Sequence, residues 1–164
     1  MGLNLPSFVK RSSSALLGID LSASSVKVVE LVPGQKASMR LQRYAIEPIE
    51  RGAVTDGNIE RPEQVAEALG RAMRRMSTRT RDVAMAMPSS AVITKRIALP
   101  AGLPEEDYEL QVESEASQYI PFAIEEVNLD FQILGPSAAD PDEVEVLLAA
   151  SRKEKVEDRV AVAE

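Results

Sequence analysis

Cysteine, histidine and tryptophan are absent from this 164-residue sequence, and aromatic residues make up only 4% of it. Without cysteine there is no disulfide framework, no thiolate metal site and no thiol nucleophile. Without histidine there is no imidazole ligand and no histidine general base. A hard cation held by carboxylate oxygens stays compatible with the composition. The scarcity of rings leaves a core of Val, Ile, Leu, Ala and Met, and a hydrophobic content of 45% suits a globular chain. Basic charge is also scarce: 19 Lys and Arg face 26 Asp and Glu, for a net charge of -7. That excludes a dominant basic face for nucleic acid. No run approaches the roughly 20 apolar residues that span a bilayer. The first 17 residues hold no apolar stretch followed by a small-residue cleavage site, so no signal peptide is read and a cytoplasmic setting is expected. Residues 1–14 read as a flexible tail, with Leu3, Leu5, Phe8, Lys10 and Arg11 as a weak candidate contact to an anionic membrane surface.

The pattern that is present alternates between strand and helix signals. Ala15–Asp20, Val26–Val32 and Met39–Ile46 predict three consecutive strands in a meander, with Pro33-Gly34 marking a turn. Residues 52–58 read as a loop. Pro62 and Glu63 open a helix whose stripe is Val65, Leu69, Ala72, Met73 and Met76. Asp82–Met87 and Ile93–Leu99 are strands, each stopped by a proline. A second helix follows Leu103-Pro104-Glu105 and runs to about Tyr119, with Leu110, Ala116, Tyr108, Val112 and Tyr119 expected inward. Val127–Leu134 and Val144–Ala150 are strands, and a third helix starts near Arg152 with Val156, Val160 and Val162 as its stripe. No cap or stop signal precedes Glu164, so truncation inside a helix is expected.

The segment richest in chemistry is GIDLSASSVKVVE, residues 18–30. Asp20 ends a strand, Ser22, Ala23, Ser24 and Ser25 form a polar turn, and Lys27 lies on the returning strand. Successive N–H groups and hydroxyls in such a turn can cradle a phosphate, Asp20 can face a Mg²⁺, and Lys27 can neutralise phosphate charge. The competing reading is an ordinary hairpin, in which Asp and Ser bond their own backbone.

GIDLSASSVKVVEL resembles the first phosphate motif of the actin, Hsp70 and sugar-kinase superfamily. AVITKRIALPAGL, EASQYIPFAIEEVNLDFQILGP and EVEVLLAASRKEKVEDRV, in that order, narrow the resemblance to the PilM family of type IV pilus assembly proteins, kin of the division protein FtsA. The resemblance implies an α/β fold: a partial actin-like, ribonuclease H-like first lobe over 15–87 and 143–164, with a small inserted α+β subdomain over 88–142. It implies binding of ATP with Mg through Asp20, Ser22, Ala23, Ser24, Ser25 and Lys27, with slow or absent turnover. The second phosphate loop and adenosine segment of the superfamily have no match here, so this stretch alone is expected to hold ATP weakly or not at all. Many superfamily members carry glycine where Ser22 stands; a left-handed backbone at a serine costs about 1 kcal/mol.

The resemblance further implies a cytoplasmic scaffold, peripheral at the inner membrane and serving pilus biogenesis and twitching motility. Its partner would be the N-terminal cytoplasmic peptide of PilN, alongside other platform proteins and self-association. Tyr119, Ile120, Pro121 and Phe122 are the candidate partner-binding residues; as a bare pattern they equally describe a helix stop with an apolar plug. A small-molecule kinase or an FtsA-like division protein are the alternatives within the superfamily. Glu105, Glu106, Glu109, Glu113 and Glu115 read as a solvated helix face. Arg71, Arg74, Arg75, Arg79 and Arg81 read as charges complementing a helix C-terminus, and Met73, Met76, Met85 and Met87 as core filler.

Overall fold

The computed structural model describes residues 15–35 and 38–164. The expected tail and membrane-surface contact, residues 1–14, lie outside them. The described chain forms two compact units, residues up to 88 with 157–164, and residues 89–156.

In the first unit β1 (Leu16–Leu21), β2 (Ser25–Pro33) and β3 (Met39–Pro48) form the meander, and β6 (Val83–Met85) joins in parallel beside β1. The sheet order is β3-β2-β1-β6. Alternation decides what is buried: Leu17 and Ile19 on β1, and Val26 and Val28 on β2, point to one side. There they meet Val65, Ala68, Leu69, Ala72 and Met76 of α1 (Pro62–Met76) in one core. Pro62 and Glu63 start this helix as predicted. It stops at Ser77, which adopts a left-handed conformation and returns its N–H to the carbonyls of Met73 and Arg74. Met73 and Met85 pack against the core as filler.

The stretch expected as a loop contains a small hairpin, β4 (Val54–Thr55) and β5 (Asn58–Ile59). Asp56 and Gly57 both have positive φ, as a two-residue hairpin turn demands. A Cβ at Gly57 would stand 2.5 Å from the Cβ of Pro88, so only glycine fits there.

In the second unit β7 (Ile93–Pro100), β8 (Val127–Pro136) and β9 (Glu143–Arg152) form an antiparallel sheet in the order β7-β9-β8. α2 (Glu105–Ala116) packs on it through Tyr108, Val112 and Ala116, against Ile97, Leu99, Val146, Leu148 and Ala150. Three expectations are corrected here. Residues 143–156 belong with this unit rather than with the first lobe, because β9 is its central strand, hydrogen-bonded on both edges. Leu110 and Tyr119 are 66% and 40% exposed instead of inward. The side chains of Tyr108, Val112 and Ala116 already fill the stripe that meets the sheet. α3 (Lys153–Ala163) follows; its buried residues are Arg159 and Val162, whereas Val160 is exposed.

Candidate functional site

The cross-strand register of β1 and β2 sets Asp20 opposite Lys27, and the lysine ammonium donates to Asp20 Oδ2 at 2.8 Å. Both side chains are open to solvent, 65% for Asp20 and 46% for Lys27. Beyond this pair the chain reverses through Ser22, Ala23 and Ser24. The Ser22 amide donates to the Ser25 carbonyl at 3.0 Å, and the Ser22 hydroxyl donates to the same carbonyl at 3.0 Å. The Ser25 amide returns a bond to Ser22 Oγ at 3.2 Å, and the two hydroxyl oxygens stand 3.1 Å apart. The Ser24 carbonyl accepts from the Ile49 amide at 3.1 Å.

The six candidate residues are therefore brought together in space but not into one role. Ser22 and Ser25 are half-buried and brace the turn internally, whereas Asp20, Ala23, Ser24 and Lys27 are exposed. Among the described residues, positive φ outside glycine occurs only at Asp56 and Ser77. The turn thus needs no left-handed residue, and the serine in place of glycine carries no backbone penalty. Because β1 and β6 run parallel, with Ile19 beside Met85, the turn sits at the carboxyl end of a parallel strand pair, the end where open α/β sheets bind ligands.

The donor set suits a phosphate tail with a divalent cation better than a bare metal. Among the described residues no cluster of three or more carboxylates could hold an ion alone. Mg²⁺ is commonly bound by one or two carboxylates together with phosphate oxygens and water, which is what a solitary exposed Asp20 can offer. A recess of about 260 Å³ lies nearby, lined by Pro48, Ile49, Glu50, Gln64, Glu67 and Arg71, and does not include Asp20 or Lys27.

Two charged residues that the sequence reading left without a role hold this unit together. Glu30 is buried and accepts from Thr80 Oγ1 at 2.6 Å, Arg43 Nη1 at 2.6 Å and Thr78 Oγ1 at 2.8 Å. Those donors, led by Thr80 and Arg43, outweigh burial and lower its pKa from 4.5 to about 2. The signal was available: Glu30 follows Val26 and Val28 at period two, on the inward face. Arg159 is buried on α3 and donates to the carbonyls of Gly57 at 2.6 Å and Ala86 at 3.3 Å; burial lowers its pKa. The basic cluster divides its work. Arg71 and Arg75 pair with Glu47 at 3.5 and 3.0 Å, and Arg81 donates to the Thr80 carbonyl at 2.9 Å.

In the second unit the four candidate partner residues separate. Ile120 is buried in the core, and is the plug; Tyr119 and Phe122 are 40% and 39% exposed, with Pro121 between them also exposed. A cation covers each ring: Lys95 Nζ lies 4.7 Å from the Tyr119 centroid, and Arg152 Cζ lies 5.3 Å from that of Phe122.

The family described as type IV pilus assembly protein PilM matches residues 18–164. Among solved structures, the "PilM-PilN type IV pilus biogenesis complex" holds a chain 32% identical in sequence, superposing with a TM-score of 0.79. That match covers 93% of this chain and 44% of the other, so the sequence spans less than half the length of its relative. Among the described residues no helix is long and apolar enough to cross a membrane.

Proposed function

The chain belongs to the PilM family of type IV pilus assembly proteins, and from that membership we propose that it acts as an ATP-binding scaffold of the pilus assembly platform. In this reading it docks the N-terminal cytoplasmic segment of a PilN-like partner and is peripheral to the inner membrane through such partners. The observation that carries the proposal is the ledge at Tyr119 and Phe122. Two rings stay partly exposed, each with a cation over it, in a chain with few aromatics, while Ile120 between them anchors the ledge in the core. Exposed aromatics on a fixed support are the side chains that most often dominate peptide binding.

Nucleotide serves here as a conformational ligand. It biases the scaffold only by its different affinity for two states, so hydrolysis is not required. Asp20 with Mg²⁺, the exposed tip at Ala23 and Ser24, and Lys27 would take the phosphate tail, while Ser22 and Ser25 keep the turn in shape. Mg²⁺ supplies charge neutralisation to that tail when bound.

The test is binding of a PilN N-terminal peptide to the protein as its gene encodes it, by fluorescence anisotropy. Tyr119→Ala with Phe122→Ala is expected to weaken capture by about tenfold or more, with the circular dichroism spectrum unchanged. Unchanged affinity in a folded double variant overturns the docking proposal. Titration with a fluorescent ATP analogue, with and without Mg²⁺, tests the nucleotide proposal separately.

A further inference from the structure

We infer that Lys95 and Arg152 are the hydrogen-bond donors of the docking ledge, and that the segment they take is extended, with main-chain carbonyls facing both cations and an aliphatic side chain between them. The inference rests on the docking reading above and specifies what that site recognises.

The sheet register carries it. Lys95 on β7 stands opposite Leu148 of β9, which stands opposite Phe131 of β8. The next row on the same face is Ile93, Ala150 and Leu129, and the row after it holds Arg152 and Val127. The two cations therefore bracket an apolar row on the face that packs α2, with Ile93 and Leu129 half-buried at its ends. Counted along β9 from residue 148 to residue 152, and one strand across, the two positions are about 14 Å apart. Roughly four residues of extended peptide span the same distance. The Tyr119 ring marks one end and the Phe122 ring the other, because each lies under one of these cations.

Both ends offer donors that the protein leaves unspent. A ring attracts the charge of a cation but satisfies few of its N–H groups. Among the described residues Lys95 pairs with no carboxylate, and its contact is the Tyr119 ring. Arg152 reaches Glu154 only at 3.6 Å, with both side chains well exposed, which makes that pair weak. An acidic side chain is a poor acceptor here, since residues 89–156 carry 14 Asp and Glu against 5 Lys and Arg. Main-chain carbonyls are uncharged acceptors, and an extended segment presents them at the required spacing. The apolar row between the cations favours an aliphatic side chain at the centre, where burial removes it from water.

The experiment uses the protein as its gene encodes it and a fluorescent PilN N-terminal peptide, followed by anisotropy. Lys95→Met and Arg152→Met are each expected to weaken binding about threefold or more. A series of peptides with single amide-to-ester replacements, each weakening one carbonyl as an acceptor, is then titrated against every variant. One replacement is expected to lose its effect in Lys95→Met and another, about four residues away, in Arg152→Met. Weaker binding by Lys95→Met and Arg152→Met with no such coupling makes the cations supports for the rings only, and overturns the inference. Full affinity in both variants, while Tyr119→Ala with Phe122→Ala still weakens capture, also overturns it and leaves the docking reading standing. Unchanged affinity in the ring double variant overturns both.

Discussion

In the first unit, α1 packs on the sheet β3-β2-β1-β6, and two charged side chains, Glu30 and Arg159, are buried. In the second, α2 packs on β7-β9-β8, and among the described residues the buried polar side chain is Ser151, an uncharged hydroxyl that donates to the Ala91 carbonyl at 2.8 Å. The charge balance differs in the same direction. Residues 89–156 hold 14 Asp and Glu against 5 Lys and Arg, all of them outside the core. Burying a charge is tolerated only where partners surround it. The first unit meets that condition by using Glu30 to fasten the 78–80 segment and Arg159 to fasten the carbonyls of residues 57 and 86. The second relies on apolar packing, with Tyr108 as its amphipathic member, donating to the Pro100 carbonyl at 2.9 Å. The contrast also separates ligand chemistry. In the proposed reading the polar turn of the first unit takes the phosphate tail, and the acidic second unit, with its exposed rings, takes the peptide.

The contrast breaks most sharply at the core of the second unit. Leu148 is fully buried on the central strand, so Leu148→Ala is expected to cost about 2–5 kcal/mol, read as a lowered midpoint in urea. In the first unit Glu30→Gln is expected to cost about 2 kcal/mol at neutral pH, since three donors lose their charged acceptor. The pH dependence follows from its depressed pKa. The stabilisation is complete above 4.5, where the unfolded carboxylate is also ionised, and is lost as pH falls towards about 2. Thermal melts from pH 7 to pH 2 should show a decline in the unsubstituted protein that Glu30→Gln lacks. Arg159→Met, which leaves two carbonyls without their donor, is expected to cost about 1–2 kcal/mol, checked by the same melts. At the exposed ledge, Tyr119→Ala and Phe122→Ala should each change stability by less than about 1 kcal/mol while weakening peptide capture. Smallest is Lys27→Met, below about 0.5 kcal/mol in denaturant unfolding. Its effect belongs to the nucleotide titration.

The elements were largely legible in the residues. Alternation at Val26, Val28 and Glu30, helical spacing at Val65, Leu69, Ala72 and Met76, and the prolines at 62, 88 and 100 mark strands, helix and breaks by local geometry alone. The turn at Ser22–Ser25 was legible as a position, because small polar residues between two apolar runs have few other structures available. The division of labour within it was not. Which serine hydroxyl braces the turn depends on the register of β1 against β2 and on Ile49 reaching the Ser24 carbonyl from residues further along the chain. The apolar positions of α2 and α3 misled for a related reason. Leu110 and Val160 are apolar, but a helix face is buried only if a partner surface lies opposite it.

What the sequence determined by itself was local: period, punctuation, the polar turn and the family-specific run from Gln118 to Phe122. Tertiary structure decided the rest: β9 as the centre of the second sheet, Ile120 as core while its aromatic neighbours stay exposed, and Glu30 and Arg159 as buried fasteners. The physical reason is range. Backbone preference and side-chain periodicity act over a few residues, whereas burial of a charge or placement of a strand depends on groups dozens of positions away, which only folding brings within reach.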